Sequence, residues 1–299
     1  MSAVMERTPV RSAAVPDPVR RRPARRGLMV ATAIAYLVTF VVLLPLLWIV
    51  LLSFRSSSDI LNHPFSLSHL TTENYRTVVH TLDLMLMYRN TLILAVASVV
   101  IGLVISFMAS FAITRMVFRH RRRRLQKLMR YYFLAGLAVP VYILLFPVYR
   151  LDLDFHVFGT YTALILPYVA TSIPFNVLLL TGFLADFPEE VEQAALIDGV
   201  GLFSLCVRVV LPMMRPVVAT LLVLNVIYVW NEFPFAVTLI TKPELTTVSL
   251  GVSQFQGQYA TDYGAEMAAA VLVLLPQLVI FGLFQRQVIE GMTLGAVKG

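Results

Sequence analysis

Few side chains in this sequence are placed to do chemistry, and those few stand inside or between long apolar runs. Asn176, Asn225, Asn231 and Glu232 each interrupt such a run. At the bilayer centre a charged residue costs about 2.5–3.5 kcal/mol, so polar groups there mark candidate sites. Asn225, Tyr228 and Glu232 recur at i, i+3 and i+7 and are expected to share one helical face. That face either lines a polar pathway or makes hydrogen bonds between helices. A second concentration is Glu189, Glu190, Glu192 and Asp198, which follow Asp186 and Pro188 between two apolar runs. Proline among carboxylates marks a helix start, because the positive end of the helix dipole favours them.

Other chemistries are missing. The sequence has no G-x-x-x-x-G-K-[ST] phosphate loop, so it does not by itself cradle and hydrolyse a nucleotide. It also lacks H-E-x-x-H and the G-x-S-x-G nucleophile elbow. His63, His69, His80, His120 and His156 fall in predicted loops or at span ends and read as solvated residues. Cys206, the single cysteine, has no partner and reads as a small packing residue.

The elements that position these residues are membrane spans. Of the 299 residues 58% are hydrophobic and only 14% charged, whereas soluble domains carry roughly a quarter charged residues. Six segments meet the requirement of about 20 mostly apolar residues: Leu28–Leu52, Asn90–Thr114, Tyr131–Tyr149, Tyr161–Leu184, Met213–Ile240 and Gly264–Phe284. Kinks are expected at Pro45, Pro140, Pro147, Pro167, Pro174, Pro234 and Pro276. The first run is longer than a signal-peptide core and lacks a small-x-small cleavage site, so it reads as a retained span. Residues 1–27 form a basic tail without apolar periodicity and are expected to be disordered; residues 28–284 form the membrane domain and 285–299 a C-terminal tail.

Lys and Arg set the orientation. With the N-terminus inside, cytoplasmic segments hold 19 of the 24, and only Arg55, Arg76, Arg89, Arg150 and Lys242 fall outside. Both termini are therefore expected in the cytoplasm. The net charge of +7 does not point to nucleic acid, because the cations sit in blocks beside spans. The block Arg119–Arg130 reads as a topology determinant touching anionic lipid head groups.

This orientation places the acidic stretch, within residues 185–212, inside the cell. Ala194 and Ala195 keep its helix slim, and Gly199 and Gly201 supply the positive φ needed to turn. A second short apolar segment, Leu202–Val210, follows, and Pro212 is expected to stop it. The stretch "QAALIDGVGLFSLCVRVVLP" resembles the EAA motif of ATP-binding-cassette importer permeases: Ala194, Ala195, Gly199, Leu211 and Pro212 fall on its spacing, and Val209 replaces its Ile. Gln193 stands where the motif has Glu; Glu192 is one residue early, about 100° round the helix. "ALIDG", "WNEF", "SQFQGQYATDYG" and the terminal "GMTLGAVKG" are similar to sugar-type permeases of the maltose and glycerol-phosphate kind.

The resemblance implies an all-α, six-helix type I permease with a cytoplasmic coupling helix. It implies ATPase coupling through Glu192, Gln193, Ala194, Ala195, Asp198, Gly199, Leu211 and Pro212, and a secondary ATPase contact at Gly295, Ala296, Val297, Lys298 and Gly299. The outer loop Thr241–Tyr263, with Gln254, Gln256, Gln258, Tyr259 and Asp262, is the candidate contact for an extracytoplasmic solute-binding protein. The other implied partners are a second homologous permease, an ATPase dimer that uses ATP and Mg²⁺, and a sugar; no cofactor is expected on this chain. An amino-acid or peptide permease is the nearest alternative, and an intramembrane enzyme built on Glu232 a distant one.

Overall fold

Hydrocarbon offers no partner to backbone N–H and C=O groups, so the long apolar runs fold as helices. The computed structural model describes residues 25–66, 69–115, 123–186, 188–257 and 261–296. Among these the only β feature is a bridge between Gln256 and Thr261. The expected all-α class is observed.

Among the described residues four helices are long and apolar enough to cross a membrane: α1 (Arg25–Leu52), α4 (Leu84–Arg115), α7 (Tyr161–Ala185) and α13 (Tyr263–Ala296), the last preceded by the short α12 (Val248–Val252). The short helices α2 (Ser57–Asn62) and α3 (Glu73–Thr81) lie between the first two. The structure divides into Met1–Trp48 and Ile49–Gly299. In the first unit, α1 is exposed on every side from Met29 to Trp48, as suits a helix solvated by lipid.

Two predicted spans are bent. Tyr131–Tyr149 is not one helix: α5 (Arg123–Ala135) and its 3₁₀ extension meet α6 (Val141–Asp154) at a 100° bend. Pro140 has no N–H to donate and holds Val139 extended, at ψ 111°. Met213–Ile240 is likewise interrupted. The acidic helix α8 (Glu189–Ile197) leads to α9 (Leu202–Met213), which bends by 78° into α10 (Arg215–Asn231); α11 (Pro234–Leu239) follows only after a break. Six crossings result when each bent pair is counted as one. Pro212 does not stop α9 as expected; six π-helical residues, Leu205–Val210, precede it, and helix persists to Met213. Such local widening re-routes hydrogen bonds around proline. The last helix runs beyond Phe284 to Ala296, so the C-terminal segment continues α13.

Pro276 leaves α13 unbroken because other helices replace what it removes. Its missing N–H frees the carbonyl of Leu272, which accepts from the Tyr88 hydroxyl at 2.8 Å, while the neighbouring Val273 carbonyl accepts from Trp230 Nε1 at 3.1 Å.

The principal packing is α4 against α7. Ser98, Gly102, Ser106 and Ser110 recur every fourth residue on the buried face of α4, letting the two backbones approach. A Cβ on Gly102 would lie 2.7 Å from Ser172 Oγ of α7. Around this seam Leu94, Phe107, Leu164, Tyr168, Leu180 and Leu221 form the main core. Gly182 on α7 faces open space. Gly102→Leu is expected to cost about 1–3 kcal/mol by overpacking, whereas Gly182→Ala, into open space, costs nothing and gains up to about 1 kcal/mol of helix propensity. Thermal unfolding of the purified protein in detergent compares them, and equal midpoints would refute the close approach.

Candidate functional site

The acidic stretch forms the predicted helix and turn, except that Gly199 alone supplies the positive φ and Gly201, at φ −68°, is extended. Pro188 is the N-cap of α8, and the chain reverses at Gly199, φ +78°. The Gly199 N–H donates to the Leu196 carbonyl at 3.1 Å, and the Val200 N–H to that of Ala195 at 3.0 Å. This is a Schellman closure, which satisfies two terminal carbonyls and requires the left-handed residue between them.

The helix has two faces. Val191 and Ala195 pack inward on the core, and Glu192 is buried beside them. Glu192 Oε1 lies 2.7 Å from Arg115 Nε at the end of α4, each side chain 11% exposed. Arg115 also donates to the Leu184 carbonyl, which lacks a helical partner at the end of α7. The expectation that Glu192 joins the outward docking face is therefore corrected: one residue of helix rotation turns it inward, while Gln193, at the motif position, is exposed. Ala194 and Asp198 are exposed with Gln193. So are Ile197 (85%) and Phe203 (73%), which sequence reasoning passed over although an isoleucine preceding Asp-Gly was visible. Leu211 and Pro212 are half-buried behind them.

The intramembrane polar residues divide into two groups. Asn225 Nδ2 donates to Asn176 Oδ1 at 2.8 Å and to the Leu221 carbonyl at 2.7 Å, joining α7 to α10. Asn225 and Tyr228 then line a cavity of about 270 Å³ with Thr171, Ser172, Phe175 and Leu224. Glu232 does not share their helical face as predicted. It follows the end of α10, at ψ 123°, and its carboxylate accepts from the Phe235 N–H (2.7 Å), the Ala236 N–H (3.2 Å) and the Tyr168 hydroxyl (2.6 Å). The cause is Pro234, which cannot continue α10 and opens α11, leaving free N–H groups that the carboxylate caps. Asn231 is exposed and bonds back to the Ile227 carbonyl.

On the opposite side a cleft of about 980 Å³ opens between α2, α3 and the loop before α13, lined by Ser56, Asp59, His69, Glu73, Gln254 and Asp262. Asp262 accepts from Ser57 Oγ at 2.7 Å and from the Ala265 N–H at 3.1 Å, and so pins α2 to the start of α13. Gln256 donates to Glu266 at 2.6 Å. Gln258 and Tyr259 lie outside the described residues, as do Val297, Lys298 and Gly299; Gly295 and Ala296 end α13. The floor of this region is organised by Arg55, counted in the sequence only as an outer cation. It is completely buried, and its guanidinium donates to the carbonyls of Asp59, His63 and Pro64 at 2.6–3.0 Å.

A bundle of apolar helices with polar side chains joined inside it and a tightly turned, exposed helix between two of its spans defines a multi-pass membrane protein. Residues 102–293 match the family described as "Binding-protein-dependent transport system inner membrane component", and the chain belongs to that family. It is 36% identical over 263 residues to a putative ABC transporter permease of Caldicellulosiruptor sp., covering 87% of this chain and 94% of the relative. It is 32% identical to the diacetylchitobiose uptake system permease NgcG of Streptomyces coelicolor (92% and 90% covered) and 30% identical to the trehalose/maltose transport system permease MalG of Thermococcus litoralis (94% and 100%). Its fold matches a chain of a bacterial ABC transporter that imports the acidic polysaccharide alginate, with a TM-score of 0.70 at 17% identity, covering 88% and 98%.

Breaking a buried ion pair on one side strands the other charge at about 3–5 kcal/mol, whereas replacing both is often neutral. Arg115→Met and Glu192→Met are each expected to lower the thermal midpoint, and the double variant to recover most of the loss. Additive losses in this cycle would show that the two side chains act independently.

Proposed function

We propose that this chain is one transmembrane subunit of an ATP-driven sugar importer, and that α8 is the helix through which a separate ATPase moves the bundle. The observation that carries this reading is the outward face of α8 and α9. Gln193, Ala194, Ile197, Asp198, Leu202 and Phe203 are all exposed on a helix anchored from behind by Glu192 and turned by Gly199. An apolar patch with a polar rim, borne on a helix outside the core, is the signature of a docking surface. The sugar class is supported by relatives named for diacetylchitobiose and for trehalose and maltose.

In this reading a second, homologous permease chain completes the translocation path and an ATPase dimer seats α8 of each. ATP and Mg²⁺ bind in the ATPase, and this chain needs no cofactor of its own. The outer cleft, with Gln254 and Gln256 at its edge, receives the sugar-binding protein. The cavity beside Asn225 and Tyr228 is a stretch of the path, with Asn176 behind its wall. Both termini face the cytoplasm, in keeping with 19 of 24 cations on that side, and the end of α13 reaches the ATPase as a second contact. Nucleotide and loaded binding protein move the equilibrium through their different affinities for the inward- and outward-open states.

The chain expressed with its genomic neighbours is expected to bring down an ATPase subunit; failure to do so would defeat the importer reading. Ile197→Asp should abolish that association without changing membrane insertion. Gly199→Val forces a β-branched residue to positive φ, a region closed to it, and should separate ATP hydrolysis from sugar uptake in proteoliposomes. Normal coupling in that variant would remove the turn from the mechanism.

A further inference from the structure

On the side of Arg115 away from α8 lies a second cavity, of about 230 Å³, between the ends of α4 and α7 and the first turns of α5. Its polar lining is Thr114, Arg115, Gln126, Lys127, Arg130 and Thr181, with no acidic residue among its walls. Lys127 and Arg130 are three residues apart on one face of α5, both exposed, and neither makes an ion pair with a described residue. Lys127 and Arg130 thus bring two charges without a described counter-ion to a hollow whose third cation, Arg115, is shared with Glu192, and such a hollow attracts an anion.

The surroundings identify which anion. Leu125, Leu128 and Tyr132 of α5 are exposed on the face turned away from Lys127 and Arg130, with Tyr131 at its edge, so the helix is amphipathic, basic on one side and apolar on the other. Such a helix lies in the interface, with tyrosines at head-group level. The sharp bend at Pro140 gives it room to leave the direction of α6. A dissolved phosphate would use the cations and ignore the apolar side chains; a phospholipid uses both.

We propose that Arg115, Lys127 and Arg130 form a discrete binding site for the head group of an anionic phospholipid, whose acyl chains lie along the apolar residues of α5. The site is joined to the docking helix, because Arg115 lines this cavity and also pairs with Glu192 in the next one. A bound phosphate draws on the guanidinium that holds Glu192, so lipid occupancy loosens the anchor of α8. This second consequence rests on the coupling role assigned to α8; the lipid site itself does not.

The full-length chain in nanodiscs of phosphatidylcholine, carrying trace spin-labelled phosphatidylglycerol or spin-labelled phosphatidylcholine, gives the test. A basic side chain near the head groups is worth about fivefold in affinity for an anionic lipid. The wild-type chain is therefore expected to immobilise the phosphatidylglycerol label preferentially. Lys127→Gln with Arg130→Gln, both at exposed positions, should erase most of that preference while leaving the thermal midpoint unchanged. Preference retained in the double variant would overturn the site. Displacement of the label by inorganic phosphate in excess would also overturn it, in favour of a soluble anion. Hydrogen exchange along Glu189–Ile197 reads the linkage: faster exchange in phosphatidylglycerol discs is expected, and no difference would overturn the link to Glu192. Because neither measurement uses an ATPase, failure of the coupling role leaves the lipid result standing.

Discussion

Every break in a helix within hydrocarbon must bring its own hydrogen-bond partners, and the described bundle is arranged around meeting that demand. Where α10 ends, Glu232 supplies acceptors to two N–H groups of α11 and holds the Tyr168 hydroxyl of α7. Where Pro276 removes a donor from α13, Tyr88 of α4 takes its place, and Trp230 of α10 donates to the next carbonyl. Where the 3₁₀ turn Pro243–Leu245 gives way to the helix that opens at Val248, Asn90 of α4 donates to the carbonyls of Glu244 and Thr246, and Thr91 accepts from the Val248 N–H. Tyr88, Asn90 and Thr91 of α4 and Tyr168 of α7 reach these breaks from other parts of the chain, so local satisfaction of the backbone becomes tertiary structure.

Within that frame two kinds of contact fix the helices to one another. The serine and glycine row of α4 works through shape, allowing α7 to come close. Arg115 works through charge at the end of the same helix, where α4, α7 and α8 meet. Shape tolerates little variation along its length, whereas a single ion pair can exchange partners. The rigid seam therefore lies in the middle of the bundle and the adjustable contact at its end, beside the surface assigned to docking.

Several of these features were readable in the residues. The turn at Gly199 followed from a glycine after an acidic helix, and the one-residue offset of Glu192 from the motif already put its carboxylate on another face. The break at Glu232 was also present in outline: Glu232-Phe233-Pro234 repeats the acid-Phe-Pro pattern of Asp186-Phe187-Pro188, which was read as a helix start. It was missed because the apolar run around it continued. The bend at Pro140 had its proline, but hydropathy counts residues and does not measure direction. The burial of Arg55 had no local signal, since its partners are main-chain carbonyls of Asp59, His63 and Pro64, groups every residue possesses. α4 begins before the predicted span because Leu84–Met87 are apolar and Arg89, at which the span was cut, does not interrupt a helix, and α13 outlasts its span because helix persists past the apolar window from Gln285 on.

Under the coupling role proposed for α8, the closure at Gly199 would determine how a push on it is transmitted. Its two hydrogen bonds lie within residues 195–200, so the end of the helix is tied to itself and does not depend on the bundle for its shape. A short helix closed in this way is stiff, and displacing it costs little in internal distortion. Force applied to its outer face then passes as torque about the inner contacts, with Glu192 as the pivot. In that reading the give lies in the pivot and in the π-helical turns of α9, a spring placed in series with a rigid arm.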